Sequence, residues 1–410
     1  MIRTTILISA LLTTGTLISQ TSVTVSTAAS NGQQKFYSLA NGEVATMDLA
    51  SWDLAFEITG FTASIRVNTQ KGMRVFKAPY PVSQWSALDT TGMLATWVEA
   101  FDSDTSWSHG ALNNGLTTNE FDLGWGVYNP ITHIVAGDSL FVLQLADGSW
   151  KKLRIDALAT SVYTFTHADL DGSNEQVGNV TKSMHSGRNF GYFSFATNSS
   201  LDPEPASLQW DLLFTKYTGF VPSAYPVTGV LHNKGVEVLQ VDGVDPAMAD
   251  WTSAPFSSHI NIIGSDWKTF NMQTFQYEYP QDRTYFVRDL NGNIWKLVFT
   301  GYGGSANGDI VFTQELVSAT GIPEPDQVGT ITVFPTVVQD GRLYMLIDVP
   351  ARSADLTVLD MGGRVLRSER LQGIDGMSVR QLDMSGTPAG VHVLQVRTED
   401  RVHTARFIVE

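Results

Sequence analysis

The chain of 410 residues is 43% hydrophobic and 16% charged, with 35 Gly, 15 Pro and no Cys. That apolar mass excludes a disordered or collagen-like chain, and the missing thiols exclude disulfides, thiolate nucleophiles, Cys-ligated metals and Cys-linked lipid anchors. A net charge of −15 repels phosphate backbones, so no nucleic-acid partner is expected.

At the start, Arg3 precedes an uncharged run from Ile6 to Ile18, closed by the small Ser19. One positive charge, a short apolar stretch and a small residue predict a secretory signal peptide over residues 1–19. The run is too short and too rich in Thr to span hydrocarbon, and no later stretch reaches spanning length, so no transmembrane segment is expected.

The body then repeats itself. Ser51-Trp-Asp-Leu-Ala-Phe56 returns as Gln209-Trp-Asp-Leu-Leu-Phe214, each soon followed by Thr-Gly-Phe. Asn68-Thr-Gln-Lys-Gly72 is echoed by Asn233-Lys-Gly235, and the lead-in Phe36-Tyr-Ser-Leu39 by Tyr192-Phe-Ser-Phe195. Asp147-Gly-Ser-Trp-Lys-Lys-Leu153 returns as Asn291-Gly-Asn-Ile-Trp-Lys-Leu297. Four landmarks in one order predict an internal duplication with a period of about 158 residues. That is far longer than a solenoid repeat, so each copy should own a core.

Each copy reads as β-rich. Leu140 to Leu145 and Lys151 to Ile155 alternate around Ala-Asp-Gly-Ser, a hairpin signal because Asp-Gly accepts positive φ. Leu297 to Thr300 and Ile310 to Thr313 flank a Gly-rich loop in the same way. Residues 87–101 are the best helical candidate. Trp52, Asp53 and Phe56, with Trp210, Asp211 and Phe214, read as strands whose aromatics pack inward while Asp caps a neighbouring turn, against a binding cluster as the alternative.

Composition changes near residue 320. All ten Trp and all ten Lys lie before Ile310, whereas residues 327–410 hold nine Arg, no Lys and no Trp. Thr320-Gly-Ile-Pro-Glu-Pro-Asp-Gln reads as a linker over 320–329. Beyond it, Asp355 to Asp360, Arg364 to Arg367, Val391 to Arg397 and Val402 to Val409 predict short strands of a small sandwich.

The Trp-Asp-Leu-Ala/Leu-Phe strand, the Asn…Lys-Gly element and the Asp/Asn-Gly…Trp-Lys-Leu hairpin resemble the HmuY-like family of exported all-β proteins that capture haem. The resemblance implies copies over 33–180 and 181–319. The tail, 330–410, resembles the C-terminal sorting domain of the type IX (Por) secretion system. Its matching elements are Val333-Phe-Pro335, Leu359-Asp-Met-Gly-Gly-Arg-Val365, Pro388-Ala-Gly-Val-His-Val-Leu-Gln-Val396 and Phe407-Ile-Val-Glu410. That family usually carries Asn after the Phe-Pro pair and an aromatic two residues after the late Gly, where this chain has Thr336 and His392. The expected fold is therefore all-β: two similar lobes and a small immunoglobulin-like β-sandwich. The expected route is secretion to the outer cell surface or medium, with the type IX machinery as partner.

Haem capture would need axial ligands from opposite sides of a cleft. His133, just before a strand, and His167, read as lying in a loop, are the candidate pair; two surface His on loops is the competing reading. Gapless extension places Tyr277 and Val311 at the matching positions of the second copy, so only the first would hold iron. Asp169, Asp171 and Glu175, alternating around Gly172, resemble part of a calcium loop, against a polar turn as the alternative. No Gly-x-Ser-x-Gly elbow, His-Glu-x-x-His helix or Gly-Lys-Ser/Thr loop occurs. The sequence thus points to a non-enzymatic binding protein for haem or haemoproteins, with a haem-free adhesion module as the alternative and a secreted hydrolase more remote.

Overall fold

A computed structural model describes residues 20–319 except 61, and residues 330–409 except 340, 352, 361, 373 and 399–401. The expected signal peptide and linker lie outside the described residues. The architecture is all-β: antiparallel sheets build two lobes of the body, and a separate sandwich forms the tail.

The first lobe is one continuous piece of chain. Its larger sheet runs Gln176–Thr181, Val162–Asp169, Trp150–Ala159, Ser139–Gln144 and Arg74–Pro81, and the hairpin Gly126–Asn129/Ile134–Gly137 joins the far end of Trp150–Ala159. Its smaller sheet runs Ser199–Leu201, Phe190–Ser194, Leu54–Glu57 and Ile65–Val67. The second lobe needs two pieces. Its larger sheet runs Thr21–Ser26, Asp309–Ser318, Ile294–Tyr302, Thr284–Arg288 and Glu237–Val241; its smaller sheet runs Gly42–Asp48, Gln33–Ser38, Leu212–Gly219 and Tyr225–His232. A detached hairpin, Thr269–Asn271/Gln276–Glu278, takes the place of Gly126–Asn129/Ile134–Gly137.

The expected division at residue 180 is therefore not where the sheets divide. The hairpin 190–201 pairs with Leu54–Glu57, and the hairpin 33–48 pairs with Leu212–Gly219, so each lead-in completes the smaller sheet of the other segment. Hydrogen bonds explain the crossing. Asp53 donates its N–H to the Phe193 carbonyl at 2.8 Å and accepts the Phe195 N–H on Oδ2 at 2.8 Å. Asp211 does the same with the Tyr37 carbonyl at 2.8 Å and the Leu39 N–H at 2.7 Å. Asn68 Nδ2 donates to the Leu49 and Trp52 carbonyls, and Asn233 Nδ2 to those of Ser207 and Trp210. Each Asp thus ties its own strand to the borrowed hairpin, and each Asn locks the turn in front of it.

These strands carry near-continuous apolar runs because both faces are covered. Leu54 and Phe56 enter the first lobe's core and Leu212 and Phe214 the second's. Ala55 and Leu213 face a third cluster between the lobes, with Phe36, Met47, Trp52, Phe190, Tyr192 and Trp210. The inward packing expected for Trp52 and Trp210 thus occurs at the junction of the lobes.

The helix expected over 87–101 shrinks to one turn, Met93–Thr96. Gly92 precedes it at φ 73°, and Trp97 leaves it in extended conformation, turning its ring towards Tyr80. The tail packs a three-stranded sheet, Thr330–Phe334, Arg342–Pro350 and Asp375–Asp383, against a five-stranded one. The latter runs Val337–Val338, Val402–Val409, Gly390–Arg397, Ser353–Asp360 and Val365–Gln372. Leu343, Ile347, Leu356, Leu394 and Phe407 are among its core residues.

The topology yields a test. Residues 52–201, expressed alone, should fold cooperatively with dispersed amide resonances, because the first lobe is complete within them. Residues 33–180 should not, because they lack the hairpin 190–201. Equal behaviour of the two fragments would overturn the assignment of lobes.

Candidate functional site

The long insertion of the first lobe supplies the candidate site. Residues 101–115 contain Asp, Ser and Asn that fold the chain back on itself. Asp102 Oδ1 accepts the N–H groups of Ala111 (2.8 Å) and Val67 (3.2 Å). Arg66 donates to the Ser103 and Ser106 carbonyls and lies over the Trp107 ring. Asn113 Oδ1 accepts the N–H of Ile65 at 2.9 Å. Gly110 is pressed against the same strand so closely that a Cβ would lie 2.1 Å from the Ile65 oxygen. Only glycine fits there.

The wall so fixed borders a groove of about 710 Å³, within the usual range of small-molecule sites. Trp97, Val98 and Phe101 line it from the first lobe and Phe220 from the second, Phe101 meeting Phe220 edge-on at 5.9 Å. Val98 is 83% exposed and Phe220 39%. The charged groups of the lining are already engaged. Lys77 Nζ donates to the Asn114, Gly115 and Gly124 carbonyls, and Glu99 binds Arg74 through two bonds of 3.0 and 2.8 Å. Half-buried His109 touches Asn114 Oδ1 at 3.4 Å. The groove therefore offers aromatic faces with one imidazole and an amide at the rim.

The sequence-derived ligands do not assemble. His133 is exposed in the turn before Ile134–Gly137, held at φ 58° with Nδ1 against the Tyr128 hydroxyl at 2.8 Å. His167, expected in a loop, is instead a buried member of Val162–Asp169, with Nε2 at 2.9 Å from Asn198 Oδ1 and its ring against Phe195. Burial lowers its pKa from the ordinary value. His133 lies at the Ala159–Val162 end of the sheet and His167 near the opposite end, two strands over. At about 3.3 Å per residue and about 4.8 Å per strand, more than roughly 15 Å separates them, so one iron cannot take both.

Strand pairing also corrects the matched positions. The turns Asn129 to His133 and Asn271 to Phe275 share one design: Asn Oδ1 accepts two N–H groups and the fifth residue, at φ 58° or 54°, donates to the Asn carbonyl. His133 is thus matched by Phe275, not Tyr277. His167 pairs with Leu153 as Gln314 pairs with Leu297, so Gln314 and not Val311 matches it. Gln314 accepts the Tyr37 hydroxyl and donates to the Leu39 carbonyl, a packing role in the same corner.

The carboxylates of the calcium-like turn are engaged by the protein. Asp169 holds Lys151 and Asn174, Asp171 holds Ser173, and Glu175 accepts the Trp85 indole N–H. Among the described residues no group of three or more His, Asp or Glu is placed to hold a metal ion.

A second feature lies between the lobes. Glu204, 2% exposed, accepts the N–H groups of Asn189 and Phe190 and the Tyr192 hydroxyl. Burial pushes its pKa up to about 7 despite those donors. It lines a cavity of about 70 Å³ with Trp52, Arg66 and Trp210. Trp52 Nε1 donates to Gln34, but the position matching Gln34 is Phe190, and the buried Trp210 Nε1 has no hydrogen-bond partner among the described residues. A space of this size holds water rather than an organic ligand.

Comparison with known proteins bears on the tail. Residues 333–410 match the family described as a secretion system C-terminal sorting domain. No curated protein matches the chain. Among solved structures, an endonuclease/exonuclease/phosphatase from Beutenbergia cavernae aligns over 48% of this chain and 67% of its own, at 14% identity and a TM-score of 0.16, too slight a likeness to bear on fold or activity. The chain carries a type IX sorting tail, and its destination is the cell surface or the outside of the cell. Among the described residues no helix is long and apolar enough to cross a membrane.

Glu204 provides a pH test. Its folded pKa is raised, so its stabilising contribution is complete below the unfolded value and is lost as pH rises through about 7. Glu204→Gln should therefore gain stability relative to wild type between pH 5 and pH 8, by about 1–3 kcal/mol. Urea unfolding at both pH values measures it; a difference that does not change with pH refutes the assignment.

Proposed function

We propose that the body is a non-enzymatic binding protein, presented outside the cell by its sorting tail, and that the groove between Trp97 and Phe220 captures a flat, largely apolar ligand of the class of haem. The observation that carries this reading is a fixed groove with aromatic walls whose charged residues are already committed to protein partners. Lys77, Glu99 and Asp102 orient the wall and are not free to transfer protons to a substrate. Aromatic faces bind planar ligands by stacking and by burial of apolar area. With His133 and His167 apart, His109 is the imidazole in the groove that a porphyrin iron would meet; Trp97, Phe101 and Phe220 would hold its ring.

The matched Asp and Asn clasps also support reading the body as two diverged copies of an HmuY-like unit. In that view copy boundaries follow the lobes, near residues 52 and 210, and the groove belongs to the longer insertion of the first copy. The second lobe replaces that insertion by residues 242–268, so only one such groove results.

Hemin titration of the purified chain tests the ligand. A shifted Soret band is expected at micromolar protein, altered by His109→Ala and weakened about tenfold by Trp97→Ala, the loss expected for a central aromatic contact. No Soret change removes haem as the ligand. Export is tested separately: a chain lacking residues 330–410 should accumulate in the periplasm, and its appearance in the medium or at the surface would contradict the sorting role.

A further inference from the structure

The outer face of the tail's five-stranded sheet departs from the alternation that its inner face obeys. Inward positions such as Val338, Leu356, Leu394 and Phe407 fill the core. Outward positions should then be polar. Towards one end of the sheet they are, Val402 excepted: Thr357, Gln395 and Thr404 stand in register across three strands. At the other end, Arg406 apart, every strand carries an aliphatic residue outward. Val337 pairs with Ile408, Ile408 with Val391, the next outward residue Val393 with Leu359, and Leu359 with Val365. Val337, Ile408, Val391 and Val365 are 37%, 40%, 41% and 56% exposed.

The result is an apolar stripe crossing all five strands, about 19 Å long at the usual strand spacing. Single exposed aliphatics are ordinary; a contiguous row of them on a sheet face marks an interaction surface. Two exposed arginines flank it, Arg406 opposite Val393 and Arg364 just ahead of Val365.

We propose that this stripe is the surface by which the type IX export apparatus recognises the tail, through an apolar protein patch with an acidic rim. The proposal rests on the sorting role of the tail and adds where that role is exercised. A domain matched as a sorting signal must present a feature that its carrier can read, and this stripe is the contiguous apolar feature of its larger sheet. Ile408, between Val337 and Val391 in the stripe, belongs to the last strand of the domain, and Arg406 and Arg364 supply the charge that an acidic rim complements.

The test uses the full chain produced in a bacterium that has the type IX system. The stripe variant carries Val391→Glu and Ile408→Glu; the control carries Gln395→Glu and Thr404→Glu, the same charge on the polar half of the same face. The stripe variant should reach the surface and medium about tenfold less than wild type, the scale of losing a central interface contact, and collect in the periplasm. The control should export normally. Thermal unfolding of both purified chains checks the fold, and Val391→Thr with Ile408→Thr replaces the Glu pair if the latter unfolds the tail. Normal export of the stripe variant, or equal loss in the control, overturns the proposal. So does light scattering that shows a wild-type dimer turned monomeric by the stripe variant, since the occupant is then a second copy. Export of the chain lacking 330–410 would sink the sorting role itself, an outcome distinct from either.

Discussion

The body depends on one hydrogen-bonding device used twice: an Asp at the head of a buried strand that accepts a backbone N–H from a hairpin of the other segment. Asp53 and Asp211 are 4% and 8% exposed, and each carboxylate oxygen serves a donor that has no water to turn to. Removing one such acceptor leaves a buried N–H unpaired, a cost of about 1–3 kcal/mol. Both smaller sheets, and through them both cores, follow from these clasps. The electrostatics differ between the two. Lys71 stands 2.6 Å from Asp53. Among the described residues no lysine holds Asp211: burial, reinforced by the charge of Asp289, pushes its pKa up to about 6. The matching lysine, Lys234, reaches Glu57 instead, and although burial raises that carboxyl, the ammonium and its hydrogen bonds keep its pKa below the ordinary value.

The groove inherits its rigidity from the same region. Arg66, which holds the wall loop, sits on the strand Ile65–Val67 beside Leu54–Glu57, and Asn68, which locks the turn, follows directly. Phe220 arrives from the end of the strand that Asp211 anchors. The two aromatic sides of the groove are thus set by the two clasps, and a change in the angle between the lobes would alter the width of the groove.

Much of this was legible in the sequence, because the landmarks are structural. Trp-Asp-Leu-Ala/Leu-Phe, Asn…Lys-Gly and the Asp/Asn-Gly hairpins mark strands, locked turns and φ-positive corners, and these are local. What sequence could not show is which hairpin a carboxylate reaches: Asp53 bonds 142 residues away and Asp211 bonds 172 residues away. His167 belongs to a strand and not a loop because Tyr163, Phe165 and His167 continue one alternation to Asp169. Residues 87–101 have apolar spacing compatible with a helix, but Gly92 and the extended Trp97 break it, and their apolar residues line the groove instead. The Ser/Asp-rich stretch before Trp107 and His109 was the signal available for the wall loop.

The first described strand, Thr21–Ser26, is paired along its whole length with Asp309–Ser318, the final strand of the body. Almost three hundred residues of intervening chain must be made before that pair can form. Contacts of such sequence separation are the slow step in folding, since the loop entropy is lost before the contact repays it. Until Asp309–Ser318 is made, Thr21–Ser26 stands unpaired and open to association with other chains. The second lobe closes last, on arrival of residues 309–318. Completion of the body and emergence of the tail are therefore adjacent events in time, so the fold itself orders assembly ahead of departure.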